Sequence, residues 1–137
     1  MNTRRKKLWH FSGKAAFWLS WPLMFIYLFP SRRTRILVVC GDEMLVVKGW
    51  MGSGRWGLPG GGLHQREEPA QGAVRELQEE TGIGVNATEL QLLYSERNKS
   101  QHGFRYTVYA YALRFDKKPK LARQRLEITH IDWLPWR

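Results

Sequence analysis

The stretch GGGLHQREEPAQGAVRELQEETGI, residues 60–83, joins three glycines to an acidic helical pattern. Pro69 suits the first turn of a helix, where no amide hydrogen is needed. Gly82 suits the left-handed residue that often ends one. Between them, small and aliphatic side chains recur at helical spacing: Ala70, Ala73, Val74 and Leu77. This pattern predicts one amphipathic helix that begins near Pro69, ends before Gly82 and packs on a core.

Three glutamates of this helix lie at positions i, i+3 and i+4, namely Glu76, Glu79 and Glu80. Their spacing places them on one side of the helix, where like charges weaken it by about 0.2–0.5 kcal/mol per pair. A cluster of oxygen ligands favours a hard divalent ion, Mg²⁺ or Mn²⁺. Gly72, four residues before Glu76, is expected to leave that side open to a ligand. The alternative is a solvated acidic face.

The stretch resembles the Nudix box, Gly-x5-Glu-x7-Arg-Glu-(apolar)-x-Glu-Glu-x-Gly-(apolar). Every fixed position is matched, by Gly61, Glu67, Arg75, Glu76, Leu77, Glu79, Glu80, Gly82 and Ile83. Just before the box, residues 56–61 read WGLPGG and are similar to the family's Trp-x-x-Pro-Gly-Gly motif. The resemblance runs from about residue 35 to residue 137. It implies an α/β fold, a Nudix-type α/β/α sandwich with a mixed sheet.

The resemblance also implies a divalent-metal-dependent hydrolase that cleaves a diphosphate bond in a nucleoside diphosphate linked to another group. By the family pattern, Mg²⁺ or Mn²⁺ would be held by Glu76, Glu79 and Glu80, with the backbone oxygen of Gly61 as a further ligand. Glu76 is also expected to take the proton from water. Two alternatives stay open: the same chemistry on a membrane-borne or polymeric diphosphate, and a non-catalytic binding module.

Several other residues are candidates for the site. Arg75 is expected to orient a box glutamate by an ion pair, and Glu67 to support the loop and the start of the helix. The three residues expected to let substrate approach the backbone closely are Gly60, Gly61 and Gly62. A fourth carboxylate often comes from a later loop in this family, and Glu127 is the first candidate before Glu96. The candidates for acting on substrate or stacking on a base are His102, Tyr94, Tyr106, Tyr109 and Trp50, although a loop or core position would explain each of them.

The formal charge of +10 is unevenly distributed. Residues 1–35 hold eight basic residues and no acidic one, whereas residues 36–137 hold 14 basic and 12 acidic residues, a balance of +2. The part with the box is therefore near neutral, and no specific nucleic-acid partner is predicted. We divide the chain into a basic, hydrophobic appendage, residues 1–34, and a Nudix domain, residues 35–137. A homodimer stays open.

The appendage contains an uncharged and mostly apolar run at residues 15–30. As a helix, this run would cover about 24 Å, less than the roughly 30 Å of a bilayer core. We predict a hydrophobic N-terminal helix, with membrane association through residues 8–30 as one outcome. A single span, an interfacial helix, a cleaved signal peptide, packing on this domain or a dimer mate, and a wrongly assigned start all stay open. The domain is placed in the cytoplasm, free or attached to the inner face of a membrane, because nucleotides and Mg²⁺ are plentiful there.

Hydrophobic patterning outside the box predicts the strands of the sheet. A hairpin is predicted at residues 36–40 and 44–48, with a turn between them. Further strands are predicted at residues 85–94, 104–115 and 128–133. A polar loop is predicted at residues 95–103, a turn at 116–120, and a short helix or a loop at 121–126.

Overall fold

The computed structural model describes residues 31–50, 54–101, 103–122 and 126–137. The predicted N-terminal helix and its membrane association lie outside these residues. The elements are β1 Arg32–Cys40, β2 Glu43–Gly49, helix α1 Pro69–Thr81, a 3₁₀ helix Ala87–Glu89, β3 Gln91–Lys99, β4 Arg105–Phe115 and β5 Ile128–Pro135. No helix in the described part is both long enough and apolar enough to cross a membrane.

The five strands form one mixed sheet in the order β3-β4-β1-β2-β5. Strand β1 runs parallel to β4, while the β1–β2, β2–β5 and β3–β4 pairs are antiparallel. The predicted α/β class with a mixed sheet is therefore confirmed. Helix α1 packs on one face, against β1 and β4. The second helical layer of the predicted sandwich is not formed by the part of the chain that the structure describes.

The β1–β2 hairpin is confirmed, but its pairing is short. Only Val39–Met44 and Cys40–Glu43 are paired, next to a turn that contains Gly41 with a φ of +59°. Beyond Met44 the two strands separate, since β1 continues along β4 and β2 continues along β5. The sheet therefore has a gap between β1 and β2.

Residues 57–63, which we call the inserted segment, lie in this gap. The amide and carbonyl groups of Gly57 and Val47 bond to each other at 2.9 Å on the β2 side. On the β1 side, the bonds run from Ile36 N to Pro59 O (2.9 Å), Thr34 N to Gly61 O (2.8 Å) and Leu63 N to Arg32 O (2.9 Å). These bonds satisfy backbone groups that the separation of the strands would otherwise leave open. The start of the box is thus held by the sheet itself.

Helix α1 has the ends that the sequence predicts. It begins at Pro69 after Glu68, whose side chain accepts hydrogen bonds from two backbone amides of the first turn, and Gly82 ends it in the left-handed conformation. Its inner face joins the buried core, which consists of Ile36, Val38, Leu45, Ala73, Leu77, Ile83, Tyr111 and Leu113. Packing on this core fixes the rotation of the helix, and with it the direction of its carboxylates.

Two predictions between α1 and β4 are wrong. Residues 85–90 form no strand; Asn86 instead caps the 3₁₀ helix, and its amide donates to Glu89 Oε1 at 2.8 Å. Residues 95–99 are not a loop but the second half of β3, which pairs with β4 through Lys99 and Arg105. Strand β3 is an edge strand and mostly exposed on both faces, so it accommodates polar side chains that a buried strand would exclude. The predicted strand at 104–115 is confirmed as Arg105–Phe115, and that at 128–133 extends to Pro135.

Candidate active site

Two glutamate side chains of α1 meet the inserted segment. Gly60 donates its backbone amide to Glu80 Oε2 at 2.9 Å. A Cβ atom built on Gly61 would lie 2.6 Å from Glu76 Oε2 and 2.7 Å from its carboxyl carbon. Because only glycine leaves room for this contact, the carboxylate of Glu76 lies directly against the backbone of the segment.

Gly60 has a second constraint, from the other side of the segment. Its φ is +138°, and an added Cβ would lie 2.2 Å from the backbone oxygen of Thr34. A side chain at this position would therefore be strained and would collide with β1. The close fit of the segment between β1 and α1 depends on glycine at both Gly60 and Gly61.

The carboxylates of Glu76 and Glu80 are buried. Glu76 is 2% exposed and Glu80 is 6% exposed, whereas the side chain of Glu79 is 38% exposed. Burying an ionised carboxylate costs free energy unless hydrogen bonds or positive charge compensate it. Their burial indicates that these two side chains serve a purpose other than keeping a surface helix soluble.

Arg75 connects the carboxylates of the helix with the loop that precedes it. Its guanidinium pairs with Glu67 through two nitrogens, donates to Glu76 Oε1 and lies close to Glu79. The distances are 2.8 Å from Nε to Glu67 Oε1, 3.0 Å from Nη2 to Glu67 Oε2, 3.1 Å from Nη2 to the backbone oxygen of Gly62, 2.8 Å from Nη1 to Glu76 Oε1 and 3.4 Å from Nη1 to Glu79 Oε2. Arg75 is therefore placed as expected, in contact with a box glutamate.

The pairing changes the proton affinity of both partners. The hydrogen bonds from Arg75, followed by a backbone hydrogen bond from His64, lower the pKa of Glu67 from 4.5 to about 2. The same contacts with Glu67, and then with Glu76, raise the pKa of Arg75. Glu67 also accepts the amide of His64 through Oε2 at 2.8 Å. The pair is charged at neutral pH and fixes the loop before the helix, as predicted for Glu67.

The expected role of Gly72 is wrong. Gly72 is buried, and a Cβ built on it would lie 2.1 Å from Leu63 Cδ2 and 3.0 Å from Glu67 Oε2. The open side that the sequence suggested for a ligand is filled by Leu63 and Glu67 from the preceding loop. Gly72 thus allows the loop to pack on the helix.

The box carboxylates are not arranged as a metal-binding cluster within the described residues. In the described ranges, no three His, Cys, Asp or Glu side chains are grouped in a way that would hold a metal ion. Glu76 and Glu79 both turn toward Arg75, and Glu80 turns toward Gly60. The donors do fit Mg²⁺ or Mn²⁺ by chemistry, because they are carboxylate oxygens on adjacent turns beside a backbone carbonyl. For Glu76, Glu79 and Glu80 to share an ion, side chains must turn away from Arg75.

The remaining candidates are distributed around the sheet. The Gly61 carbonyl accepts the amide of Thr34, so one of its two lone pairs is used within the protein. Glu127 lies exposed just before β5, and its backbone oxygen accepts the amide of Trp50. Glu96 is exposed on β3. His102 lies outside the described residues. Glu127 and Glu96 are thus exposed side chains on elements other than α1.

The aromatic candidates lie on different elements of the fold. Tyr94 and Trp50 are exposed, and Tyr109 lies under the guanidinium of Arg32, 5.8 Å from its ring centroid. Trp56, which was predicted only as part of the motif and not as a stacking residue, lies beside the inserted segment, near Lys48 of β2 and His130 of β5. Its position in the Trp-x-x-Pro-Gly-Gly motif was the signal available for it.

The sequence profile of the NUDIX domain matches residues 30–137 of this chain. The chain belongs to the NUDIX domain family. Its resemblance to the Nudix box is thereby confirmed, and the five-stranded mixed sheet with α1 is the fold of that family. The described NUDIX domain begins at β1 and holds the whole box between β2 and the 3₁₀ helix.

Three known proteins illustrate the similarity. A MutT-like protein of Streptomyces ambofaciens is 33% identical over 98 residues, which are 72% of this chain and 59% of that protein. Diphosphoinositol polyphosphate phosphohydrolase 3-alpha of Homo sapiens is 35% identical over 72 residues, 53% of this chain and 42% of that protein. The NUDIX domain of Shewanella oneidensis NrtR, solved in complex with ADP ribose, has a TM-score of 0.66 and 20% identity, covering 78% of this chain and 73% of that one. This chain spans about half the length of the curated relatives it matches.

Proposed function

We propose that the NUDIX domain hydrolyses a diphosphate bond in a nucleoside diphosphate linked to another group, with a divalent cation as cofactor. The observation that carries the proposal is the pair of buried carboxylates, Glu76 and Glu80, held against Gly60 and Gly61. Membership of the family supports it, and so does the nature of its relatives, one of which is a phosphohydrolase of diphosphoinositol polyphosphates.

We assign the cation site to Glu76, Glu79 and Glu80, with the carbonyl of Gly61 as a further ligand. Mg²⁺ or Mn²⁺ bound there would neutralise the anionic oxygens of the diphosphate and polarise phosphorus for attack. Glu127 stays a candidate for a fourth carboxylate. Glu127→Gln belongs in the test for that reason.

The reaction is a substitution at phosphorus by water. A new bond forms between the water oxygen and one phosphorus, the bridging P–O bond breaks, and the departing phosphate takes the electron pair. The proton of the water passes to Glu76, whose Oε1 also accepts from Arg75 at 2.8 Å. Arg75 is thus assigned as a positioning residue, because it is fixed by Glu67 and holds Glu76 in the rotamer from which the side chain turns to the cation.

The three glycines are proposed to act mainly through the space that their missing side chains leave. Groups of each already bond within the protein: the amide of Gly60 to Glu80, the carbonyl of Gly61 to Thr34, and the carbonyl of Gly62 to Arg75. Substrate would therefore approach a backbone whose position is fixed before binding, which lowers the cost of ordering the site.

The function is tested by following product formation with ³¹P NMR in the presence of Mg²⁺ or Mn²⁺. The substrate panel contains ADP-ribose, nucleoside triphosphates, a diphosphoinositol polyphosphate and a lipid diphosphate. We expect wild type to cleave a nucleoside diphosphate derivative and Glu79→Gln to lose at least about 100-fold in rate. Cleavage of the lipid diphosphate alone would favour the membrane-borne substrate. Equal turnover by Glu80→Gln and wild type would contradict any hydrolase mechanism based on this helix.

A further inference from the structure

Thr34 of β1 carries a buried hydroxyl that has no bonding role in the fold. The residue is 0% exposed, and its Oγ1 atom makes no hydrogen bond within the described residues. Thr81 is equally buried, but its Oγ1 donates to Leu77 O at 2.6 Å and accepts the amide of Ile83 at 3.3 Å. Because an unpaired buried hydroxyl lowers the folding equilibrium constant by about 5- to 150-fold, Thr34 requires an explanation.

The side chain of Thr34 points toward α1. Alternate residues of a strand share one face of the sheet, so Thr34 shares its face with Arg32 and Ile36. Arg32 Nη2 donates to the backbone oxygen of Glu67 at 3.0 Å, just before the helix, while Ile36 packs in the core with Leu77 of α1. The hydroxyl therefore lies in the layer between the sheet and the helix that carries the box glutamates.

Thr34 also lies opposite Gly61 of the inserted segment. The two chains pair in antiparallel fashion through Arg33 and Gly62, and the amide of Thr34 donates to Gly61 O at 2.8 Å. Opposite positions of such a pair carry their Cβ atoms on the same face, about 4.5–5.5 Å apart. Since a Cβ built on Gly61 would lie 2.6 Å from Glu76 Oε2, the side chain of Thr34 is next to the space that this carboxylate fills.

Glu76 needs a new hydrogen-bond donor when it leaves Arg75. Its Oε1 accepts from Arg75 Nη1 at 2.8 Å, and the carboxylate must turn away from this donor to share a cation with Glu79 and Glu80. A buried carboxylate that gives up a charged donor loses free energy unless another group replaces that donor. The hydroxyl of a threonine can rotate about its C–O bond and donate to such an oxygen.

We propose that the hydroxyl of Thr34 donates a hydrogen bond to the carboxylate of Glu76 once that side chain turns from Arg75 toward the cation. Thr34 is then a positioning residue, because it fixes the carboxylate in the metal-binding rotamer and directs its remaining lone pairs toward the ion. The assignment rests on the proposed function for the presence of the cation, but cation binding itself does not require turnover.

Two substitutions separate the hydroxyl of Thr34 from its methyl group. Thr34→Val removes the hydroxyl at nearly constant shape, and Thr34→Ser keeps it but loses the methyl group. Without metal, Thr34→Val should melt at or above the wild-type temperature, because it removes a buried group that has no partner. Thr81→Val is the matched control and should melt about 2–8 °C lower, since its hydroxyl both donates and accepts. Thermal unfolding followed by circular dichroism measures these temperatures.

Mn²⁺ binding should rank the two Thr34 variants in the opposite order. We expect the dissociation constant from calorimetry to rise about tenfold in Thr34→Val and to stay within about threefold of wild type in Thr34→Ser. Thr34→Ser should at the same time melt below wild type, because the lost methyl group leaves a cavity. A purely structural role would lower stability and Mn²⁺ affinity together, so the crossed result is specific to the hydroxyl.

Two double variants identify the carboxylate that accepts the hydrogen bond. In Glu76→Gln the acceptor is neutral and the bond is weaker, so adding Thr34→Val should change the Mn²⁺ dissociation constant by less than about twofold. In Glu80→Gln the carboxylate of Glu76 is intact, and adding Thr34→Val should again raise the dissociation constant about tenfold.

Unchanged Mn²⁺ affinity in Thr34→Val would overturn the assignment, as would a failure of wild type to bind Mn²⁺. A melting temperature of metal-free Thr34→Val below that of wild type would also overturn it, because the hydroxyl would then already have a partner. Turnover of the substrate panel separates this result from the proposed function. The expected Mn²⁺ affinities without any turnover by wild type would keep the assignment and reject the hydrolase. Turnover by wild type, with unchanged Mn²⁺ affinity in Thr34→Val, would do the reverse.

Discussion

At the scale of single residues, the contact between Gly61 and Glu76 sets the position of the carboxylate that we assign as base. In Gly61→Ala the new Cβ would overlap the Glu76 carboxylate, which must then move. Since displacements of about 1 Å can lower rates roughly 100-fold, we expect a loss of that order in kcat with little change in stability. Steady-state kinetics and thermal unfolding of the variant measure the two quantities.

Gly84→Ala is the control for that substitution, because a Cβ built on Gly84 meets nothing within 4 Å. It should keep the activity and stability of wild type. Wild-type kcat in Gly61→Ala would contradict the placement of Glu76 against the segment.

The ion pair between Glu67 and Arg75 predicts how stability depends on pH. The pKa of Glu67 is lowered from 4.5 to about 2 in the folded protein, so the pair contributes its full stability above pH 4.5. That contribution is lost as the pH falls from 4.5 toward 2. In Glu67→Gln the contribution is absent, so the difference in free energy of unfolding between wild type and variant should shrink over this range. Urea unfolding at pH 6, 4.5 and 3 measures it.

Glu96→Gln, at an exposed carboxylate on β3, is the control and should show no such convergence with wild type. A difference between wild type and Glu67→Gln that is constant from pH 6 to pH 3 would show that the pair does not stabilise the fold through its charge.

Some features of α1 could be predicted from the sequence because they depend only on neighbouring residues. The ends of α1 depend on Pro69 and Gly82, which act within one turn of the helix, and both were predicted correctly. Gly72 was misassigned because the atoms that fill its open side, in Leu63 and Glu67, come from a loop whose path the helical pattern does not contain. The neighbours of Trp56 were not predicted, because Lys48 and His130 approach it from β2 and β5.

At the scale of elements, the inserted segment is the feature on which the site depends. Gly60→Ala would place a Cβ 2.2 Å from the backbone oxygen of Thr34 and impose a φ that alanine rarely adopts. Because neither backbone can yield without breaking bonds between the segment and β1, we expect a loss of about 2 kcal/mol or more in the free energy of unfolding. Chemical denaturation followed by circular dichroism measures this loss.

Gly57→Ala provides a control within the same segment, since its Cβ would meet nothing within 4 Å and its φ is not positive. It should unfold within about 0.5–1 kcal/mol of wild type. Equal stabilities for Gly60→Ala and wild type would mean that the segment is not held in the gap between β1 and β2.

The sheet should also differ in stability from its centre to its edge. The amides of Thr34 and Ile36 bond to the inserted segment and are buried, while β3 pairs with β4 alone and is mostly exposed. We therefore expect the β3 amides that donate hydrogen bonds to β4 to exchange with deuterium at least about tenfold faster than the amides of Thr34 and Ile36. Hydrogen exchange followed by NMR measures this, and equal rates would contradict the difference.

Strand β3 shows why the sequence predicted the elements only in part. Its first residues, Gln91 to Tyr94, include Leu92 and Leu93 and were predicted as strand, whereas the polar residues that follow were predicted as a loop. Their strand conformation comes from pairing with β4, a tertiary effect that a residue pattern does not record. The inserted segment was likewise unpredictable, since its hydrogen bonds to β1 join residues more than 20 positions apart in the sequence.

At the scale of the whole molecule, the charge distribution separates the chain into two parts. Residues 31–137, which include the box, hold 17 basic and 12 acidic residues, a balance of +5, yet α1 itself carries three glutamates and one arginine. A site of that kind attracts a cation first and, through it, an anionic substrate. The box motif was sufficient to predict the family and the sheet, while the contacts of Arg75 with Glu76 and Glu79 required the structure.

We propose that Glu76, Glu79 and Glu80 share a divalent cation once Glu76 and Glu79 turn away from Arg75. Titration of Mn²⁺ into the protein, followed by calorimetry without any substrate, tests it most directly. Glu76→Gln and Glu80→Gln remove one charge each at nearly constant shape, and Glu89→Gln does the same at an exposed position outside the site.

We expect the wild-type protein and Glu89→Gln to bind Mn²⁺ with the same dissociation constant, and each of the two site variants to bind it at least about tenfold more weakly. Equal Mn²⁺ affinity in wild type, Glu76→Gln and Glu80→Gln would contradict the claim.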